Sequence, residues 1–353
     1  MSEIPSKMRA VTIGGVGDVH VAEYNTPIPK AGEVLIKMTA ASICTIDQRA
    51  YNGVSAQTDF PTIPGHEGTG VIAAMGEGVK GLKLGDAVIV GRFGCGVCKN
   101  CKTKGFGCVE PTDRFDFNPW TNAWGEIGCM SEYVIKPYIH VTKISKDVSP
   151  VYAALCEPVS CVVRSVERSR LNWTETAVIC GAGIMGLLHV QLAKLKGARV
   201  IVSEPDADRR QRALDMGADY AINPLEQDPG EFVKSVTEKG ADVVFNTVAN
   251  PKVFNQCFDM IGQMGRVVAY SSLHPNEPIP IDVGKLHKAQ YELIGTNGSS
   301  IQDLYHAAKL IESGAVKLET LVDSTYSLDQ CVAAFDRACA PDSYRCVFDF
   351  SKE

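Results

Sequence analysis

The 353-residue chain has no long hydrophobic run, since its apolar stretches are broken by charge or glycine within about a dozen residues. A membrane-spanning helix, which needs ~20 apolar residues, is therefore not expected. The start, Met1-Ser2-Glu3, lacks a basic segment followed by an apolar one, so a secretory leader is not expected either, and a cytoplasmic protein with reduced thiols is. Basic stripes and aromatic ladders are missing too. Lys and Arg number 35 against 41 Asp and Glu, for a net charge of -6, and aromatics make up 7%. That balance argues against nucleic acid and for a small molecule as the partner. Repeats, low-complexity tracts and long flexible linkers are also absent. What remains is an ordinary globular composition at a length that favours two domains.

Cysteine is plentiful, with thirteen in all, and four fall within fourteen positions: Cys95, Cys98, Cys101 and Cys108. Intervals of two, two and six residues let one loop turn four thiolates toward a single tetrahedral centre, the arrangement of a closed structural zinc site. A redox pair would need only two of them. The other nine are scattered, and Cys129, Cys180, Cys257 and Cys346 sit in apolar contexts that suit inert, buried thiols.

From Met8 to Ile144, glycine and proline punctuate short β-branched runs at 9–13, 33–38, 70–74 and 86–90, which predicts a β-rich domain. Beyond Trp173 the texture changes. Strands at 177–180, 199–203, 220–222, 242–245, 266–270 and 292–295 alternate with helical stretches, which predicts an α/β fold with a doubly wound parallel sheet. A helix at 301–313, an extended piece and a strand at 345–350 follow, returning to the first domain. The expected division is 1–156, with a zinc lobe at 92–110, then 157–296 for a dinucleotide, then 297–353.

Gly181-Ala182-Gly183-Ile184-Met185-Gly186 follows a predicted strand and opens a predicted helix. The first glycine permits a tight turn, the second lets backbone approach a pyrophosphate, and the third lets helix and strand pack closely. Glu204 ends the next strand 23 residues after Gly181, where a carboxylate accepts ribose hydroxyls and repels an added phosphate. NAD is therefore favoured over NADP. Arg209, with Arg210 beside it, is the counter-signal, being able to meet a 2'-phosphate. Val248 and Thr296, in glycine- and asparagine-rich strand ends, are candidates for the nicotinamide half.

A second group of metal-binding residue types lies outside the four-cysteine loop. Cys44 lies just beyond a predicted strand, His66 and Glu67 in a glycine-flanked turn, and Glu157 at the junction into the nucleotide-binding region, with Cys156 as its competitor. A thiolate, an imidazole and one or two carboxylates hold zinc with a position left open, which separates a catalytic site from a closed one.

With these residues assembled, the chain resembles the zinc-containing medium-chain dehydrogenase/reductase family, and most of all its polyol (sorbitol dehydrogenase-like) branch. The likeness runs nearly end to end: the strand at 32–37, Cys44 before Asp47, Pro64-Gly65-His66-Glu67, the four-cysteine lobe, Ser131 to Val134, Glu157-Pro158, and Gly181 to Gly186. It implies a GroES-like catalytic domain beside a Rossmann domain, with two zinc ions per subunit. Cys44 and His66 would ligate the catalytic zinc, Glu67 directly or by exchange, and Glu157 as a ligand or as the holder of a water on the metal. The implied reaction is hydride transfer between a polyhydroxylated alcohol and NAD. A homodimer or homotetramer joined through edge strands at 266–271 or 292–296 is implied as well.

Three departures from the family pattern stand out. The family usually reads Cys-Gly-(Ser or Thr)-Asp-x-His, whereas this chain places Ile46 at the proton-relay hydroxyl and Arg49 at the relay histidine. Thr45, a water held by Glu157, or the cofactor ribose would have to substitute. The last interval of the cysteine lobe is six residues where seven is common. The segment from Asp113 to Trp124 is unusually aromatic and polar, and with Arg49, Tyr51 and Asn52 its Asp113, Arg114 and Asn118 are candidates for a substrate mouth. The alternatives are an amino-alcohol or threonine-type substrate held through Asp113, an NAD-binding protein that has lost its chemistry, and a zinc-independent reductase. The intact set of candidate ligands argues against the last two.

Overall fold

The computed structural model describes residues 4–54, 59–91, 98–105, 128–273 and 276–352. Cys95, Cys108, Asp113, Arg114 and Asn118 lie outside them. The described strands are β1 (Lys7–Gly15), β2 (Asp18–Asn25), β3 (Glu33–Ser42), β4 (Glu67–Met75), β5 (Ala87–Val90), β6 (Tyr133–Pro137), β7 (Val141–Lys143) and β8 (Thr176–Cys180). They continue with β9 (Arg199–Ser203), β10 (Tyr220–Ile222), β11 (Ala241–Asn246), β12 (Ile261–Ala269), β13 (Glu292–Gly295), β14 (Val322–Tyr326) and β15 (Arg345–Asp349). No described helix is long and apolar enough to cross a membrane.

Two compact units result, Met1–Ser160 with Ser299–Glu353, and Cys161–Gly298. In the first, β1 and β2 form an antiparallel hairpin, and a larger sheet runs β14-β15-β3-β4-β5-β7, with β6 also pairing with β3. β3 is the axis of that sheet, bonded antiparallel to β15, β4 and β6. Its side chains are accordingly buried along nearly the whole strand. The core beneath it joins Leu35, Ile36, Met38 and Ile72 to Phe335 and Phe348 from the C-terminal segment.

The second unit is a six-stranded sheet in the order β10-β9-β8-β11-β12-β13, with every pairing parallel. These are the six strands expected from the sequence. Burial on both faces explains why β8 and β9 read as continuous apolar runs rather than alternating ones. The chain winds outward from β8 to β10 and then returns to β11, so the strand order reverses beside β8. Such a reversal opens a crevice at the carboxyl ends of the strands, where ligands of these folds bind.

Two local readings differ from the sequence expectation. The stretch after 313, expected to be extended until its last strand, contains β14 and a helix at Cys331–Ala338. Leu328, Cys331, Ala334, Phe335 and Ala338 supply a buried stripe at helical spacing, which a short segment rich in small residues disguises. β12 begins at Ile261, five residues earlier than expected, and its register shifts between Ala241 and Val243 of β11. Gly262 and Gly265 make that stretch look like a turn, and Met264 does take a positive φ of 61° there.

Beneath the glycine loop, His189 is fully buried against Phe245 and Tyr270. Its Nδ1–H donates to Met185 O at 2.7 Å, and its Nε2 accepts from Ser165 Oγ at 2.9 Å, so the neutral ring satisfies both partners. Burial pushes its pKa down to about 4. The unfolded chain takes up a proton near pH 6.5 that the folded chain refuses until about pH 4, so stability is lost as the pH falls through that window. The contribution is on the order of 3 kcal/mol. Replacing His189 by Gln, which can serve both hydrogen bonds without titrating, should flatten that part of the curve when denaturant midpoints are compared at pH 7 and pH 4.5. An unchanged slope would mean that the imidazole is not held neutral.

Candidate metal centre and cofactor loop

At the end of β3 the chain passes through Ile43, enters Cys44 in extended conformation, and turns into a helix at Thr45–Tyr51. Asp47, in the first turn and 5% exposed, accepts from Cys44 N at 2.8 Å with Oδ2 and from Gly65 N at 3.0 Å with Oδ1. One buried carboxylate thus ties the start of this helix to the turn that carries His66. Gly65 has φ +100°, and a Cβ there would meet Met130 and Cys129 at 3.0–3.2 Å, so only glycine fits. Glu67 follows as the first residue of β4.

These constraints bring the Cys44 thiol, the His66 ring and the Glu67 carboxylate together, with their ligand atoms all within 4.8 Å of one another. Sulfur, nitrogen and oxygen are the donors zinc takes in open, catalytic coordination, so the group suits that metal chemically. The electrostatics fit as well. Burial and the Glu67 charge push the Cys44 thiol up, while Arg345 and His66 pull it back. Burial would lower the pKa of His66, but the Cys44 thiolate and the charges of Glu157 and Asp47 hold it well above its ordinary value. A dication would relieve both by replacing the protons.

Of the competing neighbours, Cys156 is fully buried and its Sγ–H points to Leu304 O at 3.7 Å, away from this group, and burial pushes its thiol up. Glu157 stands in the first turn of the helix at Cys156–Ser169, half-buried, with its charge acting on His66 and Arg345. Thr45 and Ile46 are exposed and Arg49 is half-buried. Tyr51 and Asn52 turn toward the C-terminal helix, to Asp336 Oδ1 at 3.4 Å and Cys339 Sγ at 3.3 Å. In the four-cysteine lobe, Cys98 caps the helix at Lys99–Lys104 and its Sγ accepts from Cys101 N at 3.5 Å. Backbone N–H donation to sulfur suits a thiolate.

Sequence reasoning missed Arg345. The first residue of β15 and 4% exposed, it donates from Nη2 to Glu67 Oε1 at 2.6 Å and lies 3.7 Å from Cys44 Sγ. The available signal was a lone arginine opening an apolar strand, Arg345-Cys346-Val347-Phe348, since a buried charge needs a buried partner. Ser42, on Oε2 of the same carboxylate, was missed as well.

In the second unit, Gly181 has φ +95°, and a Cβ there would strike Val248 at 2.6 Å; one on Gly186 would fall 2.0 Å from Gly181 O. A Cβ on Gly183 would meet nothing within 4 Å. Gly183 precedes the helix at Ile184–Leu195, whose first turn carries Ile184 and Met185, so this open space lies where backbone N–H groups and the helix dipole favour a phosphate. Glu204, 6% exposed, accepts from Ala182 N at 2.7 Å and Asp206 N at 3.0 Å, which ties the acid to the loop. Arg210 donates to the carbonyls of Glu204 and Pro205 at 2.9 and 2.6 Å, and Arg209 is half-buried on the same helix. Thr296 Oγ1 is buried with no hydrogen-bond partner, an acceptor or donor left for a ligand amide. The donors and open space of this unit suit a dinucleotide.

The zinc-binding dehydrogenase family model matches residues 185–313, and the alcohol dehydrogenase GroES-like domain model matches residues 30–146. L-threonine 3-dehydrogenase of Thermococcus kodakarensis is 34% identical over 93% of both chains. Sorbitol dehydrogenase of Bacillus subtilis is 31% identical over 95% of this chain and 94% of its own. Among solved structures, a zinc-binding dehydrogenase of Sinorhizobium meliloti bound to NADP has a TM-score of 0.85 at 26% identity, covering 98% of this chain and 100% of its own.

Two substitutions separate fold from binding in the glycine loop. Gly183→Ala should keep the thermal midpoint and weaken dinucleotide binding, whereas Gly186→Ala should unfold at lower temperature whether or not cofactor is present. Equal loss of stability in both would refute the assignment of Gly183 to a ligand. Arg345→Leu, which leaves Glu67 buried without its counter-charge, should cost about 3–5 kcal/mol in denaturant unfolding.

Proposed function

For a chain that belongs to the zinc-containing dehydrogenase family, an oxidoreductase acting on CH–OH groups, we propose a secondary alcohol of a polyol, sugar or cyclitol as the substrate and NAD as the acceptor. The observation that carries this reading is the convergence of Cys44, His66 and Glu67 donors within 4.8 Å in the unit that also holds Glu157. Cys44 and His66 would hold a catalytic zinc with a carboxylate from Glu67 or Glu157, and Cys95, Cys98, Cys101 and Cys108 a structural one. Zinc supplies Lewis acidity toward a hydroxyl, and NAD supplies a hydride acceptor.

The chain's own residues do the rest. Asp47 holds the Cys44 and His66 segments in register, and Arg345 offsets the negative charge that Cys44, Glu67 and Glu157 concentrate around the metal. Gly181, Gly183, Ile184, Met185 and Gly186 form the pyrophosphate cradle, Glu204 favours the unphosphorylated ribose, and Val248 and Thr296 serve the nicotinamide end. Proton release cannot use Ile46, which has no titratable or hydroxyl group, so Thr45, exposed beside Cys44, is assigned the relay. Arg49 is placed to pair with an anionic group on the substrate or cofactor. A homodimer or homotetramer is expected, since β13 ends the parallel sheet as an open edge. A cytoplasmic location accords with a thiolate zinc lobe.

A second reading, an amino alcohol of the threonine type, is favoured by the 34% identity to a threonine dehydrogenase. The test is reduction of NAD or NADP by zinc-replete protein with pentitols, hexitols, cyclitols and L-threonine, before and after chelation. Chelator-sensitive turnover of a polyol with NAD is expected. Turnover of threonine alone would transfer the assignment to the second reading, turnover with NADP alone would remove Glu204 as the selector, and silence from protein holding two zinc ions and NADH would leave a binding protein.

A further inference from the structure

We infer that Ser42 is a positioning residue that, together with Arg345, clamps both oxygens of Glu67 and holds this carboxylate off the catalytic metal as a charge-compensated neighbour. The inference rests on the reading of Cys44 and His66 as ligands of that metal and goes further, because it assigns a role to a residue outside the ligand set. The geometry comes from three adjacent strands. Ser42 stands directly opposite Glu67 in the antiparallel β3–β4 pair and directly opposite Val347 in the β3–β15 pair. Opposed residues share a sheet face, and Arg345, two residues before Val347, shares it too.

All three side chains are buried, Ser42 and Glu67 completely and Arg345 at 4% exposure. Ser42 Oγ donates to Glu67 Oε2, and Arg345 Nη2 donates to Oε1 at 2.6 Å. Arg345 is held in turn by Ile43 O, 3.3 Å from Nη1, next to Cys44. Each oxygen of the carboxylate therefore already accepts a hydrogen bond from a fixed donor, one of them charge-assisted. Arginine alone would secure one oxygen and leave the other able to swing toward the metal. The serine hydroxyl closes that freedom, so the standing carboxylate ligand falls to Glu157.

The test uses full-length protein with cobalt(II) in place of zinc, reading the d–d and thiolate-to-cobalt bands as the difference from Cys44→Ser. Glu67→Gln should leave the band positions unchanged. Ser42→Ala should shift them, as a freed Glu67 oxygen enters coordination, and Ser42→Thr should restore them. The double variant Ser42→Ala with Glu67→Gln should return to the wild-type positions, which a merely structural defect would not do. Should Glu67→Gln fail to fold, the two Ser42 variants still decide the matter. Unchanged bands in Ser42→Ala, or a shift in Glu67→Gln alone, would overturn the clamp while leaving the metal site intact. Absence of any Cys44-dependent band would instead overturn the proposed catalytic metal and the clamp with it. Outer contacts to metal ligands commonly alter metal affinity by about 10- to 100-fold, so zinc release to a chelator should change by about tenfold in Ser42→Ala and not in Ser42→Thr.

Discussion

The first unit depends on a buried ion pair placed where three strands meet. Arg345 and Glu67 come from β15 and β4, whose first residues are 278 positions apart, and they meet only because β3 runs between those strands. Two charges taken out of water repay their desolvation only with close geometry and with their remaining polar atoms satisfied. Here the carboxylate has Ser42 on its second oxygen, and the guanidinium has a backbone carbonyl and a thiol. The pair also lies against Cys44, so the arrangement that closes the sheet sets the charge balance around the donor group. Removing either partner would disturb the sheet and the candidate metal centre together.

The second unit works by a different constraint, close approach of backbone. Its parallel strands are buried on both faces, and the reversal of strand order beside β8 leaves a place for a ligand at the strand ends. Gly181 and Gly186 are required by packing, because a side chain would collide with Val248 or with the loop's own carbonyl. Gly183 is required by neither, and its open surroundings separate a residue kept free for a ligand from two kept small for the fold. Glu204 links the two needs by accepting from Ala182 N and thereby fixing the loop from below.

Much of this was legible along the chain because the signals are local. A glycine fingerprint, an acid at the next strand end, and alternating apolar and helical runs each lie within a few tens of residues, so periodicity and spacing expose them. The helix at Cys331–Ala338 escaped because small residues blur its apolar stripe, and β12 because glycines near its start read as a turn. Tyr51 and Asn52, polar and near Cys44 in sequence, looked like substrate contacts, yet their side chains turn to Asp336 and Cys339 across the sequence.

By itself the sequence determined the class of protein: two folding textures, a four-cysteine lobe, a dinucleotide loop and a set of zinc-type donors, all carried by residue types whose chemistry is independent of context. Only the tertiary structure decided which of those groups face one another. It turned Cys156 toward Leu304 O while Glu157 kept its influence on His66, and it brought Ser42 and Arg345 onto Glu67. The reason is that strand pairing joins residues without regard to their separation along the chain, and a buried charge is defined by the partner that pairing delivers.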